Sequence, residues 1–405
     1  MTTYRQIFRI REFRVMFVAT SLGVLGGTMR MLAVSALVYA STGSPLLAAL
    51  AYLGGFLPQA FGALTLMSLA DRLPPRAALA SWRTVHATVS TVLAIGVLPV
   101  WAMLMLLLVL GLGDAVVGAV GSSVVVDIVP EGSYVLGRST LNIAIGGMQI
   151  VGYAVAGAFL ALAGAGGALW VSASLALASV PILRFGLNRR PPRAKGRATV
   201  ALTWAGNRVL FGDPTTRRLL LAQWLPNGLI VGAEAMYVPY AGNAAGAMFA
   251  AAAAGMLVGD VVVGRWTSPQ WRAAFPLPLY TLLAVPYLGF VLQPGPVLAT
   301  VLVAVASFGY AGTLALQERF VAVVPDHLLG QGMGLANSGM MTGQAVCAAV
   351  VGVAAELASP ATAMTLAALA SLAVSVVLLW PLRRRPTPAV HTGQSQEDPQ
   401  AAPAG

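Results

Sequence analysis

PEGSYVLGRSTLNIAIGGMQIVGYAVAG, residues 130–157, has a counterpart in PDHLLGQGMGLANSGMMTGQAVCAAVVG, residues 325–352. Pro130, Asn142, Gln149 and Gly157 each precede Pro325, Asn337, Gln344 and Gly352 by 195 positions. In a chain with 44 glycines a shared Gly says little, whereas Pro, Asn and Gln at one offset are informative. Both copies follow one plan: a short polar loop, then an apolar helix of small residues with an Asn and a Gln seven positions apart. The repeat marks two similar units in tandem.

The composition around this repeat decides the solvent. Of 405 residues 58% are hydrophobic and 9% charged, where a soluble globule carries roughly 25% charged residues. Apolar runs of about 20 residues, enough to cross a hydrocarbon core of roughly 30 Å, recur along most of the chain. Backbone groups in lipid must be satisfied within their own segment, so the runs are read as helices, and the alternating pattern of barrel strands is absent. Tandem repeats in such a setting characterise secondary transporters.

The net charge of +11 is explained by topology, with no nucleic-acid surface required. Basic residues fall at 5–14, 72–83, 138, 184–218, 265–272, 319 and 383–385, at alternate ends of successive runs. The opposite loops, around Thr42–Ser44, Pro99, Gly164–Gly167, Gly242–Asn243, Gln293–Gly295 and Ser359–Pro360, carry no Lys or Arg. This positive-inside pattern predicts twelve spans with both termini cytoplasmic. They are expected at 15–40, 46–70, 76–99, 101–128, 138–163 and 167–187, then 217–240, 244–264, 273–292, 296–320, 329–357 and 361–382. Trp82, Trp101, Trp170, Trp266, Trp271 and Trp380 are expected in an interfacial belt. The basic start, Arg5 to Arg14, precedes a run too long for a cleaved leader. Cys347, the single cysteine, allows no intrachain disulfide.

The expected organisation is therefore an all-α integral membrane fold of two pseudo-symmetric six-helix bundles, residues 1–187 and 215–385. A cytoplasmic connector, 188–214, opens with RRPPRAKGR, and its apolar second part with Trp204 and Phe211 suits an interfacial helix. A Pro/Gln-rich tail, 386–405, has a composition typical of disorder.

Two places carry a resemblance. Thr42-Gly43-Ser44-Pro45 forms a tight turn, Pro58 follows in mid-helix, and the second run ends in LADRLPPR, residues 69–76. Asp71 with Arg72 and Arg76 resembles the signature loop between helices two and three of the major facilitator superfamily, in the branch of bacterial enterobactin and macrolide exporters. Helix five, with Gly146, Gly152 and Gly157, resembles that family's antiporter motif, except that Tyr153 stands where the motif has Pro. The resemblance implies a twelve-helix carrier whose central cavity is lined by helices one, four and seven. From the residues themselves, Asp71, Arg72, Arg76, Asp127 and Arg138 form a candidate gate of helix-end charges on the cytoplasmic side. Glu318, Arg319 and Asp326, with Arg265 in a worn second copy of the loop, form a candidate second gate.

The charges inside the apolar runs are the main functional signal, because ionisable groups in lipid are costly and face proteinaceous cavities. Arg30 follows Arg14 by sixteen residues and Glu234 follows Arg218 by sixteen, so the two are expected at equal depth on equivalent helices. Asp114 falls midway along helix four. Arg30, Asp114 and Glu234 are the candidate substrate and proton cavity, with Arg30 as counter-charge to Glu234. Asn142, Gln149, Asn337 and Gln344 are candidate polar cavity residues, while His86 and Glu356 suit packing or interfacial roles.

These readings predict a cell-membrane carrier, monomeric in the bilayer, that exports a hydrophobic or amphipathic small molecule by proton-driven alternating access. Import or facilitated diffusion of a polar or anionic solute, with Arg30 on its acidic group, is the alternative. No cofactor and no metal site is expected. An enzyme would need clustered nucleophiles or metal ligands, and three scattered histidines and no HExxH, GxSxG or phosphate-binding loop argue against one.

Overall fold

A computed structural model describes residues 4–65, 69, 72–129, 134–192, 207–267, 276–325 and 328–381. Its helices are α1 (Tyr4–Arg9), α2 (Arg11–Thr42), α3 (Pro45–Leu53), α4 (Phe56–Thr65), α5 (Pro75–Ile95), α6 (Val100–Ile128) and α7 (Tyr134–Gly186). There follow α8 (Pro214–Glu234), α9 (Tyr237–Ala241), α10 (Ala245–Trp266), α11 (Pro276–Leu288), α12 (Pro296–Phe308), α13 (Gly312–Val323), α14 (Leu329–Leu357) and α15 (Pro360–Leu379).

Eight stretches among the described residues are long and apolar enough to cross a membrane. Two of them hold a reversal. In Ile143–Gly186 the chain turns at Gly164, φ 68° and ψ −176°, a conformation only glycine adopts readily. Both ends of α7 consequently return to one place, Gly137 against Phe13 and Gly186 against Val15. In Pro214–Gly264 the reversal is the 3-10 turn Gly242–Ala244, with Gly242 at φ 52°. With the more polar Pro75–Ile95 and the shorter Pro276–Leu292, the described residues make twelve passes. It is a multi-pass, all-helical membrane protein.

The reversals on one face are written in local chemistry. Gly43 ends α2 in the left-handed region and donates to the Tyr39 carbonyl, Ser44 caps α3 by accepting from Leu47 N–H, and Pro45 opens it. Ser359 and Pro360 repeat the device at α15. This face, with the loops at Thr42–Ser44, Gly164, Gly242 and Gln293–Gly295, has no Lys or Arg in its loops and is called the neutral face below. The other, basic face carries α1, Arg76 and the start of the connector.

Two crossings on the neutral face join the first six passes to the last six, and both use the duplicated glycine. A Cβ built on Gly157 would fall 2.6 Å from Gly246 Cα, and one on Gly352 would fall 2.8 Å from Leu46 Cα. Backbones pack that closely only where side chains are missing. Ser44 adds a hydrogen bond to the Glu356 carboxylate beside the second crossing. The neutral side is thus shut.

The tryptophan belt needs one revision. Trp101, Trp170, Trp266 and Trp380 are at least half exposed near helix ends. Trp82 is turned inward and donates to Asp114 at 2.8 Å, because an indole N–H in apolar surroundings needs an acceptor. Trp204 and Trp271 lie outside the described residues.

Candidate functional site

Helix continuity fails at four places, and these gather around one carboxylate. The second pass breaks at Gly54 and Gly55 between α3 and α4, just after Tyr52. The seventh breaks at Ala235 and Met236, directly between Glu234 and Tyr237. The ninth ends in the 3-10 turn Gly289–Leu292 after Tyr287, and the tenth is interrupted by the 3-10 turn Gly309–Ala311, which carries Tyr310. Gly309 is obligatory there, since a Cβ would fall 2.4 Å from the Leu279 carbonyl oxygen. Such interruptions inside a membrane are tolerated where protein or a cavity satisfies the freed backbone.

Tyr310 donates to Glu234 at 2.9 Å. Four further tyrosines, Tyr52, Tyr153, Tyr237 and Tyr287, lie within electrostatic reach of the same carboxylate. Tyr52 and Tyr153 share a hydrogen bond of 2.7 Å, Tyr237 and Tyr287 share another, and Gln149 donates to Tyr153 at 3.5 Å. Phe249 is wedged between them, its ring centroid 4.9 Å from those of Tyr52 and Tyr153 and 4.7 Å from that of Tyr237. Tyr52 and Tyr153 come from the first six passes, and Glu234, Tyr237 and Phe249 from the last six. Glu234 therefore lies where the two sets meet, under the closed neutral side.

A second cluster lies within the first six passes. Asp114, at the midpoint of α6, accepts from Trp82 Nε1 and His86 Nε2 of α5 through the same oxygen, each at 2.8 Å. Arg30 of α2 and Arg83 of α5 lie within electrostatic reach of this carboxylate. Arg30 and His86 are buried, while about a third of the Asp114 side chain (36%) stays open.

Arg30 and Glu234 are not brought together. Each carboxylate is engaged within its own set of passes, Glu234 by Tyr310 and Asp114 by α5, and Arg30 joins the second. His86, expected as a packing residue, pairs directly with Asp114. Arg83, grouped by the sequence with the loop arginines of 72–83, lies in the interior with its guanidinium over Gly23. The tyrosines went unread for want of charge, although a Tyr in mid-run, far from an interface, is itself a signal.

The remaining candidates are dispersed. Gln344 donates to Asn227 at 2.9 Å, and Asn337 is exposed. Gly152 packs on Thr28, while a Cβ on Gly146 would meet open space. On the basic face Arg76 donates to the Leu187 carbonyl at 3.5 Å, and Arg72 is exposed. Asp127 lies 4.0 Å from Arg190, which forks onto Glu12 at 2.9 and 2.7 Å. That hydrogen bonding raises the affinity of the Arg190 guanidinium for its proton above the ordinary value. Glu318 is exposed and Arg319 half-buried. Asp71 and Asp326 lie outside the described residues, as do the side chains of Arg138, Asn142 and Arg265. No three potential metal ligands cluster among the described residues.

The arrangement of the helices has counterparts among solved structures. A POT family transporter in complex with 5-aminolevulinic acid superposes with a TM-score of 0.73 at 10% identity, over 93% of this chain and 97% of that one. A bacterial homologue of the human lysosomal transporter Spinster, inward-facing and unoccupied, gives 0.67 at 14% identity, over 92% and 95%. The nucleoside transporter NupG gives 0.67 at 12%, over 92% and 98%. The fold is shared with these solved membrane transporters. Residues 3–196 also match the family MFS_3, described as transmembrane secretion effector. Fold and match together support a membrane transporter of the major facilitator type. No curated protein matches the sequence.

Proposed function

We propose that this chain is a proton-driven exporter of an amphipathic small molecule, working as a monomer in the cell membrane by alternating access. The carrying observation is Glu234, a carboxylate that accepts from Tyr310 and lies within electrostatic reach of Tyr52 and Tyr153 from the first set of passes and Tyr237 and Tyr287 from the second. The two sets, residues 1–187 and 215–385, act as bundles that rock about this point, with the basic face and both termini in the cytoplasm. On that orientation the shut neutral side makes the described conformation inward-facing. The match to a secretion family favours export over uptake.

Glu234 is the proton site. When the Gly157–Gly246 and Leu46–Gly352 crossings part, Tyr52 and Tyr153 leave the carboxylate and water from the neutral side replaces them. Solvation favours the charged carboxylate and burial the neutral acid, so the motion changes the proton affinity of Glu234. Asp71, Arg72, Arg76, Asp127 and Arg138 act as the cytoplasmic latch, and Arg265, Glu318, Arg319 and Asp326 as its counterpart in the second bundle.

The test is accumulation of a panel of fluorescent amphipathic compounds in a pump-deficient host, with and without a protonophore. Depletion that disappears with the protonophore and in Glu234→Gln is expected. Depletion that survives both refutes the proton site.

A further inference from the structure

Arg30 and Arg83 bring two guanidinium groups together inside the membrane-spanning part of the chain. Arg30 lies sixteen residues along from Arg14, and Arg83 lies eight residues into α5 with its guanidinium covering Gly23. Arg83 lies within electrostatic reach of Arg30, and both lie within reach of Asp114. Each carries five N–H donors in a planar fork, yet among the described residues neither donates a hydrogen bond or forms an ion pair. The carboxylate they share, Asp114, already accepts from Trp82 and His86. The permanent charges of the cluster are two guanidinium groups against one carboxylate. A buried excess charge with unused donors is costly, and it persists where a ligand completes it.

The cluster is also reachable. Asp114 is at mid-helix, hydrogen-bonded to α5 with Arg30 of α2 within electrostatic reach, and about a third of its side chain is open. Glycines at positions 23 and 113 make the room: a Cβ on Gly23 would strike the Arg83 guanidinium at 2.1 Å, and one on Gly113 the Trp82 indole at 1.9 Å.

We propose that Arg30 and Arg83 bind a carboxylate of the carried solute, which makes that solute an amphipathic organic anion. The transport part of this statement rests on the carrier reading above. The planar fork of a guanidinium matches a carboxylate with two parallel hydrogen bonds. Asp114, held by α5, offsets one of the two positive charges without filling the guanidinium forks.

The experiment is calorimetric titration of the full chain in phosphatidylcholine nanodiscs with three matched probes: 4-phenylbutyrate, its methyl ester and 4-phenylbutylamine. The acid is expected to bind at least about tenfold more tightly than the ester, the range of one or two hydrogen bonds between charged groups. Arg83→Gln and Arg30→Gln each abolish that preference, and Arg83→Lys, which keeps a charge while losing the fork, recovers part of it. An acid that binds no better than its ester, or a preference that survives both Gln variants, overturns the inference. Binding is read without transport, so the two readings fail separately. Charge-selective binding in a chain whose export ignores a protonophore removes only the coupling. Charge-blind binding with protonophore-sensitive export removes only the anion site.

Discussion

Gly246→Ala tests the closure of the neutral side most directly. The built Cβ falls 2.1 Å from Gly157 Cα and 2.9 Å from Gly157 N, with backbone atoms on both sides and no flexible side chain to yield. Carbon atoms settle at about 3.5 Å or more, so α7 and α10 must part by about 1.5 Å at this point. Overpacking of this kind costs about 1–3 kcal/mol. The cost falls only on the conformation in which the two helices touch, so the ratio of closed to open neutral sides shifts by roughly 5- to 150-fold towards open. Spin labels at Leu162 and Leu292, which are 89% and 82% exposed on the neutral face, in a Cys347→Ala background, read this as growth of a longer-distance population. Gly118→Ala is the control, because its Cβ meets nothing within 4 Å. An unchanged distance distribution in Gly246→Ala, with transport at the parent rate, would refute the proposed rocking about this crossing.

Three further outcomes are expected. Tyr310→Phe removes the donor to Glu234, an interaction worth about 1.5–3 kcal/mol when one partner is charged. Protonophore-sensitive depletion should then slow about tenfold or more, measured as initial rate per unit of protein in the membrane. Asp114→Asn leaves Arg30 and Arg83 without a carboxylate. Since a third of Asp114 is open, the loss stays below the roughly 3–5 kcal/mol of a fully buried pair, and thermal unfolding in detergent should begin several degrees lower. Glu12→Gln weakens the fork to Arg190 and the contact to Asn188 N–H. The pair is partly exposed, so stability changes by less than about 1 kcal/mol, while trypsin cleavage after Arg189 should accelerate.

Much of the architecture was legible because a membrane leaves few options. Ser44, Pro45 and Gly43 announce a reversal locally, and the structure puts it there, as do Ser359 and Pro360. Arg30, Asp114 and Glu234 stood out because a charge in an apolar run is rare. Their partners did not. Trp82 sat near an expected helix end and read as belt, and Arg83 sat near a basic loop and read as topology. Helix phase decides which way a side chain points, and an error of a few residues in a boundary reverses that decision.

By itself the sequence determined that the chain is helical, that it crosses a membrane many times, and that a glycine-bearing helix occurs twice. These follow from hydrocarbon thickness, backbone hydrogen bonding and turn chemistry, all of which act within a few residues. Only the tertiary structure decided that Gly157 and Gly352 touch the opposite set of passes, that Tyr310 donates to Glu234 with four more tyrosines in electrostatic reach, and that Arg30 joins Arg83 and Asp114 in place of Glu234. Those contacts join residues as far as 306 positions apart, as between Leu46 and Gly352. Apolar helices in lipid have no local pattern that names their neighbours, and close packing chooses them.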